Sequence, residues 1–418
     1  MAILLKNNKN QLNKDNPAFQ DISVGTRKHY SLVKAIKEIS PKAWLRIVFF
    51  VACIVAFFVL TFISSSIVDS LYDQRAAERW INGKAASQVS LFFEPGAKLE
   101  IKDINKLRYN IATELGKVLA DDPASHFEED ENASSNPFKG PYTYAYSALG
   151  KISLTSKDNE NAKADNLNAI GVGGDFFLFH PVDLVAGRYL SPDDMMRDGL
   201  LIDTNTAGRL FGSFDAIGKA VILSNHTYYV RGVYRPDDSH FSVGAGSDGG
   251  YVFMDYQSLS EDGVAGEISN IDVVSKDPVS GFMYNLIKDK SKNGFAIENY
   301  VAVQNTGRYS VPSLINVIFD WGNRSMQTRS VVFPYWENIG RAYEDVLALL
   351  LIFRFILLLI AAIMLIAYLY YRYSHKTWNM HSIKVWFEDI QDKYRKKQRE
   401  KVKKKIREGE SANKWKDF

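Results

Sequence analysis

Two stretches of the chain lack any alternation of polar and apolar positions. Ile47 to Val68 is 22 residues without a charge, and Val346 to Tyr371 is 26 residues with one, Arg354. Roughly 20 helical residues cross a hydrocarbon core of about 30 Å, and lipid offers no partner for an open backbone N–H or C=O. Both runs are therefore predicted as transmembrane helices, 47–68 and 346–371. A cleaved secretory signal accounts less well for the first. Its apolar part is too long, more than 40 residues precede it, and no A-x-A site follows. Past the first run, IVDSLYDQRAAERW keeps a helical rhythm, with Ile67, Leu71, Ala76 and Trp80 about a turn apart and no Gly or Pro before Gly83. A stalk helix is expected over 69–88, and ENIGRAYED, Glu337 to Asp345, predicts a second stalk over 331–345. The alternative is a short juxtamembrane turn at each end.

Between the runs the pattern changes to short mixed elements. Val89 to Phe93 reads as a strand. Ile101 to Leu119 reads as an amphipathic helix with Ile104, Leu107, Ile111, Leu115, Val118 and Leu119 on one face. Asp121 to Gly140 is an acidic loop, Tyr142 to Leu154 a strand or two, and Ser156 to Asn166 a polar connection. Asp203 to Phe211 predicts a short helix capped by Asp203 or Thr204. Val221 to Leu223 and Tyr228 to Tyr234 predict a hairpin closed by Ser224, Asn225, His226 and Thr227. After a Gly-rich loop over 243–250 come strands at Tyr251 to Met254 and Ile268 to Val274, then a helix over Pro278 to Lys288. This spacing predicts an α+β domain over 89–330, inserted between the two membrane helices.

Charge adds sidedness. The 418 residues carry a formal +3, but residues 1–46 carry +6, residues 369–418 carry +8 and the 277 residues of 69–345 carry −12. Arg27, Lys28, Lys34, Lys37, Lys42 and Arg46 precede the first span, and Arg372 and Lys376 follow the second. The positive-inside rule puts both termini, the segment 1–46 and the basic tail 372–418, in the cytoplasm and the acidic domain outside. Trp44 and Tyr368, Tyr370, Tyr371 and Tyr373 suit the interfacial belt. With a single cysteine, Cys53, no intramolecular disulfide can form, which fits a bacterial cell membrane protein held by its core alone.

The densest pattern lies at 169–235. Gly171-Val172, Asp175-Phe176-Phe177, Leu184, Gly187-Arg188, Asp193-Asp194, Ala207, Leu210-Phe211-Gly212, Ile217-Gly218-Lys219, Val230 and Gly232-Val233 together resemble the extracytoplasmic core domain of MacB/FtsX-like permeases, the membrane subunits of type VII ABC transporters. The order of elements fits more loosely over 85–300. The resemblance implies a MacB-like core in which Gly187, Arg188, Phe211, Gly212, Gly218 and Gly232 are fold-determining residues. Phe176, Phe177, Leu210, Phe211, Val230 and Val233 would fill its core. A permease of this kind has four spans, so the chain is expected to be half of a permease's membrane part. No nucleotide-binding domain is expected in it.

Chemical motifs add little. Gly212-Ser-Phe-Asp-Ala-Ile-Gly218-Lys219 spaces its glycines one residue too far for a phosphate loop and has Ala220 where Mg²⁺ needs Ser or Thr. Gly244 to Gly249 matches G-x-G-x-x-G but precedes a strand where a dinucleotide fold needs a helix. His126, His180, His226 and His240 share no helical ligand spacing, and the acidic run Glu128 to Glu131 lacks a calcium loop's glycine, so no metal or cofactor is expected. Nor is enzyme activity.

Arg354, about two turns into the second span, either snorkels or contacts another helix, from this chain near Ser64, Ser65 and Ser66 or from another subunit. In the tail, Ile383, Trp386, Phe387, Ile390 and Tyr394 keep helical spacing ahead of KYRKKQREKVKKKIRE. Lys396, Lys397, Lys403, Lys404 and Lys405 are candidates to meet anionic lipid or a cytoplasmic partner, the alternative being a tail without a partner. Nucleic acid is disfavoured, because no aromatics interleave the basic run. The resemblance implies a non-enzymatic subunit or accessory protein of an ABC transport or mechanotransmission complex, with an ABC ATPase subunit and a second permease-like chain as partners. The alternative is a free-standing membrane-anchored receptor or surface-binding protein with no ATPase partner.

Overall fold

The computed structural model describes residues 40–80, 86–120, 141–247, 249–289, 300–324, 331–375, 387–401 and 403. The described residues within 56–359 form one compact unit, and those within 1–55 and 360–418 form another.

In the first unit the apolar helix α1 (Pro41–Ser70) ends and the chain makes a single 3₁₀ turn (Tyr72–Gln74) and a short helix α2 (Ala76–Trp80) before entering strand β1 (Ala86–Phe93). This corrects the expected stalk helix over 69–88. Leu71, Gln74, Ala76, Ala77 and Trp80 are buried in the domain, and tertiary burial there outweighs the helical rhythm. Arg75 reaches back to the Val68 carbonyl at 3.3 Å and Asp69 at 2.5 Å, which closes the helix end. On the other side, where a stalk over 331–345 was expected, helix α11 (Tyr335–Ser374) is unbroken.

The intervening elements are α3 (Ile101–Ala120), β2 (Tyr142–Ser156), β3 (Lys163–Gly174), α4 (Phe176–Phe179), β4 (Asp183–Gly187), β5 (Gly199–Asp203), α5 (Thr204–Phe211), β6 (Ala220–Leu223) and β7 (His226–Arg235). They continue with α6 (His240–Ala245), β8 (Val252–Asp255), α7 (Tyr256–Glu261), β9 (Ala265–Lys276), α8 (Phe282–Lys288), β10 (Tyr300–Gln304), α9 (Val311–Phe319) and α10 (Trp321–Arg324). Among the described residues one ten-stranded sheet runs β10-β1-β9-β2-β3-β8-β5-β7-β4, parallel only at β3–β8 and β5–β7. Strand β6 pairs with both β2 and β7, so β2, β3, β8, β5, β7 and β6 close into a ring. Ile152, Leu167, Leu200, Ile202, Val221, Val230 and Met254 fill that ring, and Leu210 of α5 and Leu259 of α7 pack into the same cluster. Helices α3 and α8 cover one face of β1, β2 and β9 through Ile104, Leu107, Ile111, Met283 and Ile287. Every residue of β1 is buried, including Ser87, Gln88 and Ser90.

Several boundaries differ from the sequence expectation for local reasons. The β6–β7 turn is only Ser224-Asn225, both left-handed at φ 47° and 73°, a geometry that matches strand twist, so His226 and Thr227 pair with Leu223 and Ile222. Residues 163–166 belong to β3, where Ala164 pairs with Leu154. Helix α6 occupies part of the Gly-rich loop, capped by Ser239. Helix α8 starts at Phe282 because Asp277 accepts from Gly281 N and Phe282 N, both at 3.0 Å. Asp203 caps α5, as one of the two expected candidates.

The second unit comprises Pro41–Val55 of α1, Ile360–Ser374 of α11 and a helix over 387–401. Cys53 and Ala361 are buried. Large apolar side chains such as Phe49 and Ile366 face outward, as lipid contact requires.

Candidate coupling site

The sequence places polar residues inside strands that the sheet then buries on both faces. Gln88 and Ser90 on β1, and Asn270 and Asp272 on β9, come from paired central strands, with Ser90 opposite Asp272. Buried polar groups need partners. Gln88 finds its partners in the turn after α1, whereas Ser90, Asn270 and Asp272 bond one another and Ser147, His180 and Asn305.

On the α1 side, Gln88 holds the 3₁₀ turn. Its Oε1 accepts from Ala76 N at 2.8 Å and its Nε2 donates to the Asp73 carbonyl at 2.7 Å. Gln74 Nε2 donates to the Trp336 carbonyl on α11 at 3.0 Å, a direct tie between the two helix roots. Gly340 permits this approach, since a Cβ there would stand 2.8 Å from Gln74 Nε2. Arg79 donates to the carbonyls of Tyr72 at 2.6 Å and Leu178 at 2.5 Å.

His180, 2% exposed, follows α4 and lies between two carboxylates: Nδ1 is 2.9 Å from Asp73 and Nε2 is 3.1 Å from Asp272. Burial opposes its charge, but Asp272 and Asp73 outweigh burial and raise its pKa from 6.5 to about 9. At neutral pH it is an imidazolium donating from both nitrogens, with the Trp336 ring 4.2 Å away. Asp272 also accepts from Ser90 and, at 2.8 Å, from Asn270 Nδ2.

Arg308, 6% exposed, sits between β10 and α9. It grips Glu337 through Nη1 at 2.8 Å and Nη2 at 3.0 Å, and Glu344 through Nε at 2.5 Å. Burial opposes the guanidinium charge, yet Glu337 and Glu344 hold its pKa well above the ordinary value. Arg341 reaches Glu337 at 2.8 Å, and Arg324 reaches Glu344 at 2.6 Å. Asn305 joins the two clusters, donating to Ser90 Oγ at 2.8 Å and accepting from Arg308 Nη1 at 3.0 Å. The result is a continuous chain: Asp73, His180, Asp272, Ser90, Asn305, Arg308, then Glu337 and Glu344. It runs from the turn after α1, across the central strands, to the first turns of α11. Such a network has few low-energy arrangements, so displacing one end strains the other.

The residues singled out by sequence lie elsewhere. Arg354 places its guanidinium 5.5 Å from the Phe57 ring centroid, while Ser64 turns its hydroxyl onto the Leu60 carbonyl at 2.8 Å. Lys396, Lys397 and Lys403 are exposed on a helix, whereas Lys404 and Lys405, like His126, lie outside the described residues. Gly187, at φ 84°, ends β4; its Cβ would stand 2.2 Å from the Arg231 carbonyl, and one on Gly232 would stand 2.4 Å from Leu201 Cδ1. Arg188 clasps Asp194 at 2.8 and 3.1 Å. Gly212 caps α5 at φ 64°, Gly218 turns toward β6 at φ 77°, and Phe211 packs on the ring core. Sequence reasoning missed His180, Asp272 and Arg308. Only Asp272 carries a signal, a polar residue set within an apolar strand, which reads equally as a solvent face; His180 and Arg308 lie in connections and carry none.

A family model described as the MacB-like periplasmic core domain matches residues 51–281, more than half of the chain. The macrolide export ATP-binding/permease protein MacB of Chromobacterium violaceum is 33% identical over 78 residues, 18% of this chain and 12% of that protein's length. Among solved structures, the periplasmic region of MacB from Actinobacillus actinomycetemcomitans aligns with 60% of this chain and 97% of its own, at 14% identity and a TM-score of 0.36. The extracellular domain of the noncanonic ABC-type transporter YknZ from Gram-positive bacteria aligns with 52% of this chain and 99% of its own, at 14% identity and a TM-score of 0.33.

Proposed function

The chain belongs to the family of MacB-like periplasmic core domains, and from that premise we propose that it is a non-enzymatic membrane subunit or accessory protein of a MacB/FtsX-like ABC transport or mechanotransmission complex. It is a membrane protein with an extracytoplasmic domain between two apolar helices. In the proposed arrangement both termini are cytoplasmic. A separate ABC ATPase subunit and a second permease-like chain complete the complex, and the basic tail rests on anionic lipid. The outer domain binds a substrate or partner and exchanges displacement with the membrane helices.

The observation that carries this reading is the buried polar chain from Asp73 to Glu344. A domain merely tethered to the bilayer has no need to tie both helix roots to its central strands through His180, Asp272 and Arg308, each 6% exposed or less. The test is purification from native membranes in mild detergent, with the co-purified chains identified and ATP turnover compared between wild-type and deletion membranes. An ATPase subunit and a second permease chain are expected. Recovery of the protein alone, with turnover unchanged by its deletion, would overturn the proposal and leave a free-standing receptor.

A further inference from the structure

A cleft of about 250 Å³ opens between α3, the β2–β3 pair, the segment leading into β5 and the first turn of α7. Its size is below the roughly 300–1,000 Å³ of a site for a whole drug-sized ligand, so it suits one side chain and a short run of backbone. Two buried atoms of lining residues lack a hydrogen-bond partner among the described residues, the donor Arg108 Nε and the acceptor Gln257 Oε1. Unmatched groups of this kind are costly unless water or a ligand serves them.

The guanidinium of Arg108 is held in place, 4.1 Å from the Tyr144 ring centroid and donating through Nη1 to Asn105 at 3.2 Å. Arg197 also lines the cleft, exposed and in the left-handed region at φ 48°. Among the described residues neither arginine makes an ion pair. The acids of the lining are engaged. Arg188 clasps Asp194, and Asp255 caps α7 by accepting from Gln257 N at 2.9 Å and Ser258 N at 3.3 Å. Tyr146, whose hydroxyl burial pushes up to about 12, stays a neutral lining group at physiological pH. The cleft therefore offers two guanidinium donors and one amide acceptor.

We propose that this cleft binds an acidic residue of an extended peptide, its carboxylate on Arg108 and Arg197 and a backbone N–H on Gln257 Oε1. An anion without a donor, such as sulfate, would leave the Gln257 oxygen unmatched, whereas an acidic peptide residue carries its N–H a few bonds from its carboxylate. Phe176 lines the cleft and also packs against Trp336, with ring centroids 5.7 Å apart, so the ligand would sit one side chain from the coupling site. The inference rests on the outer domain being a binding module, but not on the identity of the complex.

The test uses the full chain in detergent and three probes: N-acetylglutamate N-methylamide, its glutamine isostere, and glucuronate. Saturation-transfer NMR and titration are expected to show binding of the glutamate probe only. Arg108→Gln should weaken it about tenfold, and Arg197→Gln several-fold. Arg197 is exposed, so its variant serves even if Arg108→Gln does not fold. Methylating the probe's backbone nitrogen should cost affinity in the wild type and nothing in Gln257→Leu. No binding, equal binding of the glutamine isostere, binding of glucuronate alone, or indifference to Arg197→Gln would each overturn the proposal. Failure here with the ATPase still co-purifying removes the cleft alone; probe binding without an ATPase removes the complex alone.

Discussion

Replacing Arg308 with methionine tests whether charge pairing holds α11 to the domain. The substitution keeps apolar volume but removes the guanidinium that serves Glu337, Glu344 and Asn305. Breaking a buried pair from one side costs about 3–5 kcal/mol, because the remaining charge is left without compensation. Here Glu337 keeps Arg341 and Glu344 keeps Arg324, which puts the cost at the lower end, about 3 kcal/mol. For a large domain, where each kcal/mol moves the midpoint by about 2–4 °C, the thermal unfolding midpoint should fall by about 6 °C or more. The assay is differential scanning fluorimetry of the full chain in detergent, where tryptophan emission follows the loss of packing around Trp336. Adding Glu337→Met and Glu344→Met should return stability to within about 1 kcal/mol of wild type, since an apolar triad avoids desolvating charge. Arg324 and Arg341, with side chains 25% and 34% exposed, can then turn to water. A single-variant loss below about 1 kcal/mol, or a triple variant no better than the single, would refute the reasoning. If the triple variant folds, it also offers a stable protein without this ionic link, in whose membranes, on the proposed function, ATP turnover should match that of the deletion.

The raised pKa of His180 makes stability depend on pH: its contribution is complete below about 6.5, the unfolded value, and is lost as pH rises through about 9. The loss amounts to at most about 3 kcal/mol, so denaturation midpoints measured across this window should fall in the wild type and stay flat in His180→Gln; parallel curves would count against the imidazolium. Gly187→Ala should cost at least about 2 kcal/mol more than Gly212→Ala, because both glycines have positive φ but only the first would press a Cβ onto backbone, the Arg231 carbonyl; equal losses in chemical denaturation would remove the steric argument. Arg354→Leu should leave thermal stability within about 1 kcal/mol, since it trades a contact with Phe57 for relief of a charge in lipid. If the proposed second permease chain co-purifies, the variant should lower its recovery, and unchanged recovery would end any role for Arg354 between subunits.

Much of the local structure was legible in the chain. The 3.6-residue spacing of Ile104, Leu107, Ile111 and Leu115 marked α3, and all four are buried. Asp203 announced the start of α5, and the glycines at 187, 212, 218 and 232 stand at turns or close approaches. The stalk over 69–88 was misread because Leu71, Ala76 and Trp80 fit a helical stripe equally well when they are buried as successive short turns. Spacing along the chain records that these side chains seek a core, not whether one helix or three segments carry them there.

The candidate site was not legible, and the reason is distance along the chain. His180 lies 107 residues from Asp73 and 92 from Asp272, and Arg308 lies 29 from Glu337. Gln88 and Ser90 alternate with Val89 and Leu91, a pattern that by itself predicts a strand with one wet face. Only the packing of the 3₁₀ turn, α2 and the start of α11 over the domain buries that face, and the pairing of β1 with β9 sets Ser90 beside Asp272, where Asn305 also reaches it. By itself the sequence determined two long apolar helices, the split of charge between the acidic middle and the basic ends, and most elements of the domain, because each depends on neighbours within a few residues. Tertiary structure decided where the first span stops and which buried charges meet, because strand register and burial on both faces bring together groups that no local pattern relates.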